Sequence, residues 1–349
     1  MGACWKLHDG ALVRLDDGAL GLEGRSPDVA GHGFVKVVSS ADALARDSAL
    51  LAAPSSSGGD LGDDAERPLS AADVLREMVA QLPHASIPYM ERVGAAAVGS
   101  VVVPEGKRRS ASWKRFAFLL APELLLVVDD DGLVAAILEG LSQEEDRVAS
   151  PAGALCALVR ALLREHPVVL SAVREDFERF EETVLEGRGK LDRSRMMADS
   201  RRMLGLDGFY QGLSDLASEL AEGGEGLVAA SDRLHFKMLA RQLDRLSARL
   251  ESLQDYSLQV HSLYQESIDI RQNNVMQWLT VVATIAMPLT FITSWYGMNF
   301  RNMLLINTSW GYLVAVALCL GVAAFEIAFF HRRGWLSFGG GGRRRRRRG

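Results

Sequence analysis

The 349 residues carry a formal net charge of −5, with 48% hydrophobic and 24% charged side chains. That length suits one large or two ordinary domains, and the composition excludes both a disordered low-complexity chain and a protein lying wholly in lipid. The charge is unevenly placed: residues 272–300 and 302–325 contain no Asp, Glu, Lys or Arg, while residues 332–349 carry eight arginines and no acid, which leaves −13 on the rest.

The chain starts MGACWKLHDG, with no basic-then-apolar pattern, so no cleaved signal peptide is expected. Lys6 stands where a myristoylation motif has Ser or Thr. Residues 5–15 and 33–38 read as strands and residues 40–51 as a helix, followed by a linker in the Ser/Gly/Asp-rich stretch 54–64. Strand patterns return at residues 98–103, 113–120 and 123–128, punctuated by Pro104-Glu105-Gly106 and Pro122. After Asp129-Asp130-Asp131-Gly132 the apolar period becomes helical, predicting helices over residues 133–141, 151–186 and 194–222. Gly223-Gly224 ends the last, and from Leu227 no Pro or Gly occurs until Pro288. A helix of about 60 residues would run roughly 90 Å. Such a rod needs partner helices, most economically those of identical subunits.

Residues 278–296 and 311–330 are each apolar over the roughly 20 residues that a helix needs to cross a hydrocarbon core. The alternative is two buried core helices of a soluble protein. His331-Arg332-Arg333 directly after the second stretch, with Arg343 to Arg348 beyond, places that end inside by the positive-inside rule. Both termini are then cytoplasmic and the 297–310 loop is external. Cys4, Cys156 and Cys319 are odd in number and scattered, giving neither a disulfide framework nor a zinc spacing.

Asn273, Met276, Thr280, Ala283, Met287, Thr290 and Ser294 recur at three- and four-residue steps and so share one helix face. That face is neutral, small or mildly polar. On a wall around an ion path, carboxylates would hold too long a hard cation that sheds its water reluctantly. An amide ring can accept hydrogen bonds from the ion's own water shell, and Met287 and Leu279 would form apolar constrictions that gate by dewetting.

The segment NNVMQWLTVVATIAMPLTFITSWYGMNF, from Asn273 to Phe300, resembles the pore helix of the CorA magnesium-transporter family. The resemblance rests on Tyr296-Gly297-Met298-Asn299, preceded by Val275-Met276 and Met287-Pro288-Leu289-Thr290. It continues in Trp310-Gly311-Tyr312 at the second span and Trp335-Leu336 after it. It is tight over the C-terminal part and only architectural before it. It implies an α/β cytoplasmic domain followed by a very long helix and two transmembrane helices, assembled as a funnel-shaped homopentamer around one pore. Gly297, Met298 and Asn299 would form the outer selectivity filter, with Asn299 meeting the metal through ion-bound water. Asn273, Met276, Leu279, Met287 and Thr290 match pore-lining positions. No cofactor is expected, Mg2+ being the transported ion and a candidate regulatory ligand. The expected partners are further copies of the chain, membrane lipids and divalent cations, with no nucleic acid.

The loop departs from the family's acidic GMNFEYMPEL pattern: Arg301 stands where the first glutamate is usual, a modifier of the outer mouth that weakens cation capture or points to lipid phosphates. Met298 favours magnesium, since zinc-transporting relatives can differ there. Glu326 lies inside the second span, and its nearness to His331 and Arg332 predicts a carboxylate reaching to the inner interface. The family's cytoplasmic sensor acids do not map, Met238 falling near one such position. Asp129-Asp130-Asp131 and Glu144-Glu145-Asp146 read mainly as solvated turns. Gly223-Gly224-Glu225-Gly226 lacks the lysine of a phosphate loop, and the seven histidines form no ligand pair. The organisation expected is an α/β domain over 1–145, a helical stalk over 146–272, a pore domain over 273–331 with spans at 276–296 and 311–330, and a basic tail over 332–349. The functional expectation is an inward divalent-cation channel in the cell membrane rather than an enzyme. The alternatives are Co2+, Ni2+ or Zn2+ as the ion, efflux, or a non-conducting cation receptor.

Overall fold

In the computed structural model the described residues are 3–8, 11–15, 33–45, 70–104, 113–143, 148–186, 193–223, 226–298 and 310–335. Strands β1 (Ala3–His8), β2 (Ala11–Leu15), β3 (Phe34–Val38), β4 (Tyr89–Val93), β5 (Ala96–Val103), β6 (Lys114–Ala121) and β7 (Leu124–Asp129) form one sheet in the order β2-β1-β3-β7-β6-β5-β4. Only β3 and β7 run parallel, in the register Phe34 to Leu124 through Val38 to Val128; the other neighbours are antiparallel. The stretch read as one strand over 5–15 is therefore a pair, Cys4 opposite Leu15.

The period of two in a strand sends alternate side chains to opposite faces. Phe116, Phe118 and Leu120 of β6 enter the main core, whereas Ala117 and Leu119 meet a smaller cluster with Leu75, Val79 and Leu82. Leu75 and Val79 lie on α2 (Ala71–Gln81), which follows the short α1 (Ser40–Ala45). Ser70 caps α2 reciprocally: its hydroxyl accepts from the Asp73 amide, and Asp73 accepts from the Ser70 amide. The Ser70 hydroxyl, which also donates to the Asp73 carboxyl at 2.6 Å, and the Ser70 amide, with Arg76 alongside, hold that carboxyl below its usual range. Neither α2 nor the edge strand β4 is among the elements expected from the sequence.

The helices α3 (Leu133–Gln143), α4 (Pro151–Leu163), α5 (His166–Glu186), α6 (Arg193–Glu222) and α7 (Ala230–Tyr296) follow. Residues 151–186 are two helices rather than the single one expected. Pro167 has no N–H for the Leu163 carbonyl and so fits the first turn of a new helix, and the break falls at Arg164-Glu165. On the part of α7 before residue 261 the buried residues are Asp232, Phe236, Leu239, Leu243, Leu246, Leu250, Leu253, Ser257 and Val260. Their alternating steps of four and three make a heptad seam. Ser214 of α6 donates to Asp244, and the Phe177 ring of α5 meets Tyr256 at 6.5 Å, so α5, α6 and α7 share one core. The sequence of α6 admits close neighbours: a Cβ on Gly212 would lie 2.5 Å from the Pro88 carbonyl oxygen.

The chain forms two compact units. One comprises Met1–Thr183 and Arg188–Val260, and the other Val184–Gly187 and His261–Gly349. Helix α7, at 67 residues about 100 Å of helix, is continuous through the boundary, and its seam ends where the first unit ends.

Candidate pore hairpin

The second unit is built on the C-terminal half of α7 and on α8 (Gly311–Arg332). Both are long and apolar enough to cross a membrane, and only 6% of the most apolar window of each is buried. Core helices of a soluble protein would be covered, so this exposure argues against the soluble alternative. Trp278 and Trp295 are exposed on α7, 17 residues and about 26 Å apart, with Trp310 and Tyr312 at the start of α8 and Trp335 beyond its end. Aromatic rings at both ends of an apolar band are the signature of two membrane–water interfaces.

Within the hairpin each helix has one sheltered stripe. On α7 it comprises Gln277, Val281, Ile285, Pro288, Leu289, Ile292 and Tyr296. On α8 it comprises Gly311, Ala315, Cys319, Val322, Ala323, Glu326 and Phe330, mostly small residues that let two helices approach closely. At 100° per residue, Ala283 and Met287 lie about 200° and 240° around α7 from Val281. Asn273, Met276, Leu279, Met287 and Thr290 are all exposed, on the half of the helix opposite its sheltered stripe.

The threonines of α7 have their protons committed. Thr280 donates to the Met276 carbonyl at 2.8 Å, Thr284 to Thr280 at 2.7 Å, and Thr290 to Ala286 at 2.8 Å. A hydroxyl in an apolar span needs such a partner. Its lone pairs stay outward, able to accept hydrogen bonds from water. Pro288 has no N–H, so the Thr284 carbonyl loses its intrahelical donor while the helix continues. At the end of α7, Gly297 donates to the Thr293 carbonyl at 3.0 Å, and a Cβ there would lie 3.1 Å from that same oxygen. Glycine thus permits the tight exit from the helix. Met298 follows, exposed; Asn299 and Arg301 lie outside the described residues.

Glu326 does not reach for the inner interface as expected. It sits on the sheltered stripe of α8, with Oε2 buried and without a hydrogen-bond partner among the described residues. The end of α8 carries a feature the sequence reading passed over. Gly334 is left-handed at φ 74°, its amide donates to the His331 carbonyl at 3.1 Å, and that of Trp335 donates to Phe330 at 3.0 Å. The Trp335 ring stacks on Phe330 at 5.7 Å. These are the paired bonds and apolar contact of a Schellman cap. Its signal was a glycine just past the last helical residue with an aromatic next.

The acidic turn of the first unit is structural. Asp129 accepts the Val134 and Asp131 amides at 2.7 and 3.0 Å, and Asp130 accepts from the Ser40 amide at 2.8 Å. Burial raises the Asp129 carboxyl, an effect those amide bonds oppose. Met238 is exposed, and Glu144, Glu145 and Asp146 lie outside the described residues. Among the described residues no three His, Cys, Asp or Glu side chains are grouped to hold a metal. Burial pushes the Cys156 thiol up to about 12, which leaves it inert.

The family described as "CorA-like Mg2+ transporter protein" matches residues 89–332, from β4 to the end of α8. A curated relative, the cobalt/magnesium transport protein CorA of Thermotoga maritima, is 29% identical over 182 residues, 52% of each chain. This chain therefore spans about half the length of the curated relatives it matches. The fold resembles the full-length CmaX protein (TM-score 0.68, 18% identity, covering 95% of this chain and 97% of that one). It also resembles the CorA magnesium transporter of Methanocaldococcus jannaschii (TM-score 0.67, 17% identity, 96% and 99%). With the match running unbroken through the sheet's second half, the stalk and the two-span hairpin, the chain belongs to the CorA-like Mg2+ transporter family.

Proposed function

We propose that this protein is a homopentameric channel that passes hydrated Mg2+ into the cytoplasm. The observation that carries the reading is the exposed, uncharged face of α7, opposite its sheltered stripe and leading into Gly297-Met298-Asn299. Five such helices with their hairpin partners outside give a lumen lined by Asn273, Met276, Thr280, Met287 and Thr290. Thr280 and Thr290 accept hydrogen bonds from the ion's water shell, while Met276, Leu279 and Met287 close the pore to water when they converge. At the mouth the Asn299 amides bind the hydrated ion, which keeps its first-shell water. An inside-negative potential supplies roughly 4.6 kcal/mol per 100 mV for a divalent ion, about three decades of accumulation. No group-transfer chemistry is required.

The family's name for its cargo and the cobalt/magnesium title of the Thermotoga maritima relative support a divalent cation. Arg301 favours a second reading, in which the mouth is altered toward another divalent ion, efflux or cation sensing without conduction. The test is uptake into liposomes holding a magnesium dye, with an imposed negative potential. Potential-driven Mg2+ entry abolished by Asn299→Ala supports the channel. Absence of divalent flux from a folded, membrane-inserted protein overturns it in favour of the receptor.

A further inference from the structure

We propose that a cavity between α2 and the edge strand β4 binds a small organic polyamine, a methylene chain carrying ammonium groups. The cavity lies wholly in the first unit, and the proposal is independent of which ion passes.

The cavity exists because α2 covers only part of its face of the sheet. Leu75 and Val79 of α2 pack with Val98, Ala117 and Leu119, while β4 lies beyond them at the sheet's edge. In register, Tyr89 of β4 stands opposite Ser100 of β5, and Ser100 opposite Ala117 of β6. The two inner members of that row are small, which leaves a cavity of about 630 Å3 beside the helix, a size suited to a small ligand. Val74, Met78 and Ile87 give it apolar walls. Its rim is held from outside. The Ala85 carbonyl accepts from Arg115 Nε at 3.1 Å, and a Cβ on Gly208 of α6 would lie 2.9 Å from the Ile87 Cγ2 methyl. A cavity braced in this way needs little ordering when a ligand enters.

Two independent observations point to the occupant. Ser100 is only 5% exposed, on the same face of β5 as Val98, and lines the cavity; its hydroxyl has no hydrogen-bond partner among the described residues. Buried hydroxyls have partners, and an occupant donating an N–H to this oxygen would supply one. The charge is one-sided as well. Glu77 on α2 and Glu91 on β4 both line the cavity, and no Lys or Arg does so among the described residues. Glu77 accepts from the neutral Gln81 amide at 3.2 Å, and Glu91 has no hydrogen bond or ion pair among the described residues. The occupant is therefore a cation. Carboxylates on two walls with apolar surface beside them match ammonium groups spaced by methylenes, since charge-assisted bonds hold the ends and the stem packs on the walls. A bare metal ion would leave those walls unused, and no three His, Cys, Asp or Glu side chains among the described residues are grouped to hold one.

The test is calorimetric titration of the full chain in detergent with spermidine, in about 0.15 M salt, where the screening length is about 8 Å. The wild type is expected to bind spermidine saturably, one per chain. Glu77→Gln and Glu91→Gln should each weaken binding about ten-fold, because a charge-assisted hydrogen bond becomes a neutral one. The two together should remove the saturable phase. Ser100→Ala, which deletes the hydroxyl without adding volume, should weaken binding about five-fold. Glu182→Gln with Glu251→Gln removes the same charge from exposed positions elsewhere and should leave the affinity within about two-fold. No saturable binding by the wild type, or equal weakening by the two double variants, overturns the proposal. Displacement of spermidine by millimolar Mg2+ also overturns it, by naming a divalent metal as the occupant.

Discussion

The arrangement of α7 makes a periodic prediction about water. Single cysteines introduced from Asn273 to Tyr296, with Cys4, Cys156 and Cys319 replaced by alanine, should react with a charged, water-soluble thiol reagent in a helical rhythm. Met287 is 76% exposed and Val281 4%, about a twenty-fold difference, so labelling at 287 should outrun that at 281 at least ten-fold, since thiol reactivity follows access. Maxima belong at positions 276, 280, 283, 287, 290 and 294, and minima at 277, 281, 285, 289 and 292. Bound Mg2+ should slow labelling at 290 and 294, the positions nearest the filter, more than at 276. The assay is labelling of the protein in liposomes, read by mass shift over time. Maxima on the 277–281–285 stripe, or uniform rates around the helix, would refute the pore face, since α8 would then not lie where the sheltered stripe puts it.

Three further outcomes are expected. Burial, reinforced by Arg202 and opposed by Glu165, pushes the His166 imidazole down to about 4, with Nδ1 2.9 Å from the Tyr210 hydroxyl. Between pH 6.5 and 4 the unfolded chain therefore takes up a proton that the folded chain does not. Stability falls by about 3 kcal/mol as the pH drops through that window, with no contribution from this group above it. Hydrogen exchange in α5 and α6 at pH 7 and 5 should show the loss, and His166→Asn should flatten it; an unchanged slope in the variant rejects the assignment. Gly212→Ala drives a Cβ against the Pro88 carbonyl oxygen and should lower stability by roughly 1–3 kcal/mol, measured by thermal unfolding, while Ser171→Ala on the exposed side of α5 should change little. Arg301→Glu should raise the apparent affinity for Mg2+ in the uptake assay several-fold at 10 mM salt and hardly at all at 0.5 M, because screening removes long-range capture; equal effects at both salts would place Arg301 away from the ion path.

What the sequence disclosed was local, and what it hid was mutual. The spans are legible because hydrocarbon demands an uncharged stretch of fixed length, whatever surrounds it. The proposed pore residues are legible because they fall in one segment that ends in Gly297-Met298-Asn299. The Ser70/Asp73 capping box was equally local and readable, yet α2 behind it is short and was passed over. The β4 edge strand YMERV buries only Met90, so its alternation hardly shows. The parallel pairing of β3 with β7 joins segments about 90 residues apart, which no periodicity encodes. Glu326 misled for the same reason: on a single helix its nearest polar company is His331 and Arg332, and only the partner helix turns that side of α8 inward.

The hairpin also argues for its own assembly. The Thr284 carbonyl, freed of its donor by Pro288, and the Ser294 hydroxyl need hydrogen-bond partners that hydrocarbon cannot supply, at several kcal/mol for each group left without one. These residues are exposed on the chain, outside the sheltered stripe of α7. Either water or a neighbouring chain must meet them. Neighbouring copies alone would close the gap with apolar packing and favour leucine and alanine there. The mixture actually present, methionines spaced among hydroxyls and an amide, suits a surface that is wet in one state and closed in another. A closed ring of α7 helices around an aqueous lumen satisfies the polar groups with water and the apolar ones with each other. Methionine supplies the flexible, adaptable contact that such a change of diameter requires.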